Sequence, residues 1–276
     1  MMLTDPQIRQ YQDHGYVFPL PVLDPGEVSA LRARFQAFEA DQGGPLEQAQ
    51  RNKCHLLFKW IDDLIRDARI LDAIEQLIGP DVLCWNTIFW VKEAGSDSFV
   101  SWHQDTRYWG LSSDKVVTAW LGLSDASIES GCLRVMPGTH TGDVLNHDDR
   151  YHPDNMLTRG QEISEGIDEA KAVVMPVKAG EMSFHNYRLA HASGPNTSAD
   201  RRIGISMHFM PPETKQIVGD WDSAALVRGK DDFKHFEATP VPACDFDETA
   251  VAFHAKAGEA LRQVLYTGAE QNAQKL

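Results

Sequence analysis

The run Val82-Leu83-Cys84-Trp85-Asn86-Thr87-Ile88-Phe89-Trp90-Val91 restricts the fold of this chain more than any other segment. It holds too many β-branched and aromatic residues for a surface helix, so it reads as a strand. It also marks a change of texture. Upstream, a helix is expected from Thr4 to about His14, followed by a strand at 15–20. Asp24-Pro25-Gly26-Glu27 then opens an amphipathic helix reaching about Asp41, with Val28, Leu31, Phe35 and Phe38 as its apolar stripe. Another helix is expected over 67–77, ended by Gly79. Downstream, short strands are expected near 99–104, 116–123, 132–136, 172–177, 181–185 and 202–210, with a late helix over 249–266. Helices followed by many short strands and Gly/Pro turns predict a mainly β fold with flanking helices: a jelly-roll core buttressed by N-terminal α-helices. With no repeat, low-complexity tract or linker, one domain over 1–276 is expected: helical support at 1–80, the core at 81–212, and a C-terminal extension at 213–276.

The 276 residues leave room for one large core. No apolar run approaches the ~18 residues of a membrane span. Met1-Met2-Leu3-Thr4-Asp5-Pro6 lacks the basic start and apolar stretch of a secretory signal. Cys54, Cys84, Cys132 and Cys244 form no C-x-x-C pair and read as buried thiols in a reducing compartment, so a cytoplasmic enzyme is expected. A net charge of −14 argues against nucleic-acid binding and, more weakly, against a CoA thioester. The expected partner is a small molecule, and monomer and homodimer both stay open. The polar stretch 141–170 reads as a cover over a binding site.

The stretch Ser101-Trp102-His103-Gln104-Asp105 reads as a strand, where side chains at i and i+2 share a face, so His103 and Asp105 can reach one point. An imidazole and a carboxylate lack only a second histidine to cap one triangular face of a metal octahedron. That would leave three positions open, as in non-heme Fe(II) oxygenases. The bland alternative is a surface histidine beside a solvated aspartate. The segment Phe184–Asn196 offers two candidates for the second histidine, His185 and His191. Next comes a period-2 stretch in which Arg202, Gly204, Ser206 and His208 share one face and Ile203, Ile205, Met207 and Phe209 the other. A guanidinium leading a small-residue face suits a buried dicarboxylate, which its planar fork binds through two oxygens. Arg201 falls on the opposite face. Arg202 lies eleven residues after His191, room for the turn Gly194-Pro195-Asn196, and seventeen after His185. His140, His147, His152 and His208 read as structural or loop histidines.

These residues, with Gly131-Cys132-Leu133-Arg134-Val135-Met136-Pro137-Gly138-Thr139-His140 and His191-Ala192-Ser193-Gly194, resemble the phytanoyl-CoA dioxygenase family from about Leu3 to about Pro212. The resemblance implies a double-stranded β-helix (jelly-roll) core and an oxygenase using Fe(II), 2-oxoglutarate and O2. It implies His103, Asp105 and His191 as iron ligands, and Arg202 with Ser193 as the holder of the far carboxylate of 2-oxoglutarate. Gln104 and Trp120 match positions lining the cosubstrate pocket, and Asn86 a further contact. Arg107, Tyr108 and Trp109, just past the ligands, are expected on the substrate side. Halogenating relatives replace the ligand carboxylate with a small residue, so Asp105 favours hydroxylation or another oxidative outcome over halogenation. The expected reaction hydroxylates an unactivated C–H bond of a small polar, cationic metabolite and releases succinate and CO2. The alternatives are a jelly-roll metalloenzyme that does not use 2-oxoglutarate, such as a cupin-like isomerase or a hydrolase, or a silent metal-binding homologue.

Overall fold

Helix caps and strand alternation set the order of elements in the computed structural model, which describes residues 1–269. The N-terminal part comprises α1 (Asp5–His14), β1 (Tyr16–Pro21), α2 (Pro25–Gln42), α3 (Lys59–Ile65) and α4 (Ala68–Ile78). Then follow β2 (Val82–Lys92), β3 (Val100–His103), α5 (Thr106–Trp109), β4 (Val117–Gly122), β5 (Leu133–Val135), β6 (His147–Asp149), β7 (Gln161–Ile163) and β8 (Val173–Met175). The chain continues through β9 (Glu181–Asn186), β10 (His191–Ser193), β11 (Arg202–Met210), β12 (Ser223–Arg228), β13 (Glu237–Ala238) and α6 (Glu248–Tyr266). Asp24 starts α2 by accepting hydrogen bonds from the Gly26 and Glu27 amides at 2.7 and 2.9 Å, and Glu27 accepts one from the Asp24 amide at 2.8 Å. This closed capping box satisfies donors that the first helical turn leaves free.

Two sheets matter for function. The larger runs β1-β9-β4-β11-β2-β12-β13, the smaller β3-β10-β5-β8. One face of the larger sheet packs against the helices: Phe89, Leu121, Phe184, Ile205 and Phe209 share a buried core with Phe35, Ile61, Ile70 and Ile74. The other face lines a cavity whose far wall is the smaller sheet. Strand β11 makes the division plain. Ile203, Ile205, Met207 and Phe209 enter the helix-backed core, while Arg202, Ser206 and His208 reach the cavity.

Several features depart from the expectations. Helix α3 was not foreseen. Strand β12 joins the larger sheet beside β2, with Ala225 opposite Cys84, so the C-terminal extension takes part in the sheet. The stretch expected as a loop contains the antiparallel pair β6–β7. Cys54, Cys84 and Cys132 are buried and unpaired, whereas Cys244 is exposed where the chain turns before α6. Among the described residues no helix is long and apolar enough to cross a membrane.

Candidate metal centre and its cavity

Strand β3 stops at His103, and Asp105 adopts helical angles (φ −58°, ψ −37°) as the residue that opens α5. This corrects the expectation that both side chains leave one face of a single strand. The chain turns because the Asp105 carbonyl accepts the Tyr108 and Trp109 amides at 3.0 and 3.3 Å. The turn still places Asp105 Oδ1 3.3 Å from His103 Nε2. The second histidine arrives across the small sheet. His191 is the direct antiparallel partner of His103, their ring centroids lie 4.1 Å apart, and its Nε2 is 4.0 Å from Asp105 Oδ2. One donor atom from each of the three residues lies within 4.8 Å of the others. His185 is outside this group. Its ring centroid is 4.6 Å from that of His191.

Hydrogen bonding fixes which nitrogen of each imidazole carries a proton. His103 Nδ1 lies 2.9 Å from the Ser101 carbonyl, and His191 Nδ1 lies 2.9 Å from the Leu189 carbonyl. A carbonyl oxygen only accepts, so each Nδ1 donates and each Nε2 keeps its lone pair. Burial holds His103 down to about 4. Burial and the nearby His103 hold His191 down to about 4 as well. Burial pushes Asp105 up to about 6, with His191 opposing the rise. The Asp105 side chain makes no helix-capping hydrogen bond. Two lone pairs and a carboxylate therefore face one another with no proton between them. Such an N,N,O donor set fits a divalent transition metal, and the carbonyl partners of Nδ1 are the outer contacts that orient ligating histidines.

A second polar group lies beside the centre. Arg202 is buried, and its Nη1 donates to the Gly131 carbonyl at 2.6 Å and to Ser193 Oγ at 3.1 Å. Its Nε has no partner. Its guanidinium carbon sits 5.4 Å from the centre of the Trp120 ring. Burial lowers Arg202 to about 10, which leaves it charged at neutral pH. Arg201 turns to the other side and pairs with Glu39 and Glu93. Two glycines make this arrangement possible. A Cβ at Gly204 would come within 2.0 Å of Trp120 Cζ2, and one at Gly131 (φ +70°) within 2.2 Å of the Gly194 carbonyl oxygen. Sequence reasoning missed Lys92. It is the cross-strand partner of Arg202, fully buried, and its amine donates to Ser193 Oγ, to the Gly194 carbonyl, and to the Ser193 carbonyl at 3.3 Å. Burial and the Arg202 charge bring Lys92 down to about 6. Only the β2–β11 register reveals this neighbour.

The cavity between the sheets holds about 910 Å³, solvent at its mouth included. His103, Asp105, His191, Ser193, Arg202 and Trp120 all line it, as do Tyr108 and Trp109. Three expected residues do not. Gln104, flanked by two inward residues, points away: its Oε1 accepts the Leu145 amide at 2.8 Å and its Nε2 donates to the Arg188 carbonyl at 2.6 Å. Asn86 Oδ1 is taken by the Lys53 and Thr87 amides, both at 2.8 Å. Arg107 is exposed on the outer side of α5. Conversely, His208 lines the cavity. Its Nδ1 pairs with Thr118 Oγ1 and its Nε2 with Ser206 Oγ, each at 3.1 Å. The alternation along 202–208 already placed it on the Arg202 face. Arg51, over the Trp90 ring at 5.8 Å, and Leu265 of α6 also reach the cavity, and no local motif announced either.

The 141–170 stretch contributes Met156, Leu157, Thr158 and Gln161 to the cavity wall. Arg159 fastens it. Its side chain pairs with Asp149, donates to the Thr267 carbonyl at 3.0 Å, and lies 5.2 Å over the Tyr108 ring.

The family model described as Phytanoyl-CoA dioxygenase (PhyH) matches residues 11–204. The chain is 31% identical to human peroxisomal phytanoyl-CoA dioxygenase over 239 residues, covering 78% of this chain and 71% of that protein. It is 29% identical over 167 residues to a probable alpha-ketoglutarate-dependent hypophosphite dioxygenase of Stutzerimonas stutzeri, which covers 60% of this chain and 58% of that one. Among solved structures it is similar to the non-heme monooxygenase ThoJ in its apo form, with a TM-score of 0.84 and 32% identity over 95% of this chain and 98% of that chain.

Proposed function

This chain belongs to the phytanoyl-CoA dioxygenase family of Fe(II)- and 2-oxoglutarate-dependent oxygenases, and from that premise we propose that it hydroxylates an unactivated C–H bond of a small organic substrate. Its metal is Fe(II), and 2-oxoglutarate is its cosubstrate. In this reading O2 is the oxidant, the two facing sheets form a double-stranded β-helix, and residues 1–276 make one domain. The core shared by the N-terminal helices and the larger sheet supports both structural points. The unpaired cysteines suit a reducing compartment, here the cytoplasm.

His103, Asp105 and His191 are the metal ligands of this proposal. The observation that carries it is the pair of Nε2 lone pairs aimed at the Asp105 carboxylate. Bound Fe(II) would activate O2, with 2-oxoglutarate as the co-reductant that gives up CO2 and takes one oxygen atom to become succinate, while the other oxygen atom goes to the substrate. Arg202 and Ser193 hold the far carboxylate. The free Nε of Arg202 and the lack of any acidic partner for it among the described residues support that role. Tyr108, Trp109, Leu157 and Leu265 wall the site with apolar surface and keep water from it. Asp105 stands where halogenating relatives have a small residue, which supports hydroxylation.

The small cationic metabolite expected from the sequence finds little support in this lining. Asp105 is the only carboxylate in it among the described residues, and the metal claims that group; Arg202 is taken by the cosubstrate, which leaves Arg51 as the cation that faces a substrate. The lining favours a substrate with an apolar body that is neutral or anionic. The relatives named above carry different substrates in their names, phytanoyl-CoA and hypophosphite, so neither transfers.

Anaerobic titration with Fe(II) and 2-oxoglutarate should produce the weak visible charge-transfer band of the chelated 2-oxo acid. Arg202→Met should raise the 2-oxoglutarate requirement roughly 10- to 100-fold, as expected for lost hydrogen bonds to a charged group, and leave Fe(II) affinity nearly unchanged. Absence of the band would sink the reading in favour of a metalloenzyme that does not use 2-oxoglutarate.

A further inference from the structure

One buried polar side chain in the cavity has no task in the reading above. His185 is 1% exposed, it lines the cavity, and neither ring nitrogen has a hydrogen-bond partner. Its surroundings are already committed. Thr118, its cross-strand neighbour, pairs with His208, and the adjacent His191 ring bonds the Leu189 carbonyl. An imidazole carries at least one N–H whether neutral or protonated, and a buried N–H without an acceptor is costly. What is missing is therefore an acceptor that enters with a ligand.

Position along the strand says which acceptor. Ser193 and His191 are two residues apart on β10, a separation of about 6.7 Å along a strand. A five-carbon diacid with its far carboxylate at Ser193 and Arg202 brings its other end to His191, and the His185 ring lies 4.6 Å from the His191 ring. Arg202 Nε and the His185 N–H are thus unpartnered donors at opposite ends of the space that such an acid would fill.

Building on the proposed use of 2-oxoglutarate, we infer that His185 donates a hydrogen bond to the 1-carboxylate of the bound 2-oxo acid. It is then a cosubstrate-binding residue that separates cosubstrate from coproduct. The 1-carboxylate leaves as CO2 during turnover, and the four-carbon succinate that remains has no group at that position. His185 grips what enters and not what departs.

The test uses the full-length protein, loaded anaerobically with Fe(II) and titrated with 2-oxoglutarate or succinate while the visible band is followed. If wild type gives no band, the functional reading fails. If wild type gives the band, His185→Phe should weaken 2-oxoglutarate about tenfold or more and shift the band maximum. His185→Gln keeps an N–H and should recover most of the loss. Succinate, measured by competition, should bind both variants as it binds wild type, whereas Arg202→Met should weaken both acids. Unchanged 2-oxoglutarate binding in His185→Phe overturns the inference, and so does an equal loss for succinate. Should the Phe variant misfold, Zn(II)-loaded wild type with ¹⁵N-labelled histidine decides. Adding 2-oxoglutarate, but not succinate, must reveal a new slowly exchanging ring N–H, absent in His185→Gln; no such signal overturns the assignment.

Discussion

Acid acts first on Asp105 at the metal centre. Its carboxyl is pushed up to about 6 by burial, whereas the two imidazoles stay near 4. Protons and metal compete for the same donor atoms, so a raised carboxyl loses metal at a higher pH than an ordinary aspartate would. Fe(II) affinity should be flat above about 6, fall roughly tenfold per unit below it, and fall more steeply once the imidazoles protonate near 4. Chelator competition across that range checks this, and a profile still flat well below 6 would contradict it. Gly204 gives a second prediction at this scale. The Cβ of Gly204→Ala would meet Trp120 at 2.0 Å, so the ring must leave its place under Arg202. The variant should lose about 1–3 kcal/mol of stability, as overpacked cores do, and should also bind 2-oxoglutarate more weakly. Denaturant unfolding read beside the anaerobic titration separates the two effects. Alternation in the sequence separated Arg202 from Arg201, but it gave no sign of the lysine beside Ser193. That neighbour comes from strand pairing, which periodicity cannot fix.

Among the elements, the β6–β7 pair and the C-terminal helix act together as the cover. Arg159 links them through Asp149 and the carbonyls of Leu265 and Thr267. Arg159→Ala should leave Fe(II) affinity intact and raise amide exchange across 148–153, where every residue is exposed. It should also increase 2-oxoglutarate consumption without substrate oxidation, because water then reaches the centre. Mass-spectrometric hydrogen exchange and succinate release per product measure both; an unchanged exchange pattern would deny Arg159 this role. The sequence marked 141–170 as a cover by its length and polarity. It did not mark α6, because a helix announces its own apolar stripe and not the surface that stripe will meet.

The whole molecule is tied together at Lys53 and Asp222. The Lys53 amine lies 3.3 Å from Asp222 Oδ1 and donates to the carbonyls of Trp85 and Ser223 at 2.6 and 2.8 Å, while Asp222 Oδ2 accepts Trp85 Nε1 at 2.6 Å. These bonds join the segment after α2 to β2 and to the C-terminal extension. Both ionic side chains are almost fully buried, at 0% and 1% exposure. Lys53→Met would strand a buried carboxylate, so it should cost about 3–5 kcal/mol, and Lys53→Met with Asp222→Asn should cost less than Lys53→Met alone. Thermal unfolding of the two variants decides it. By itself the sequence determined the main helices and strands up to β11, the inward face of β11 and the His103–Asp105 pair, because period, caps and side-chain chemistry are local properties; His191 rather than His185 followed from the family resemblance. Only the tertiary structure decided that Asp105 reaches its partners from a helical turn, that Gln104, Asn86 and Arg107 look elsewhere, and that Lys92 and Leu265 reach the Arg202 group or the cavity. Those outcomes depend on which strands lie side by side and in what register, and that is settled by packing between segments far apart in the chain.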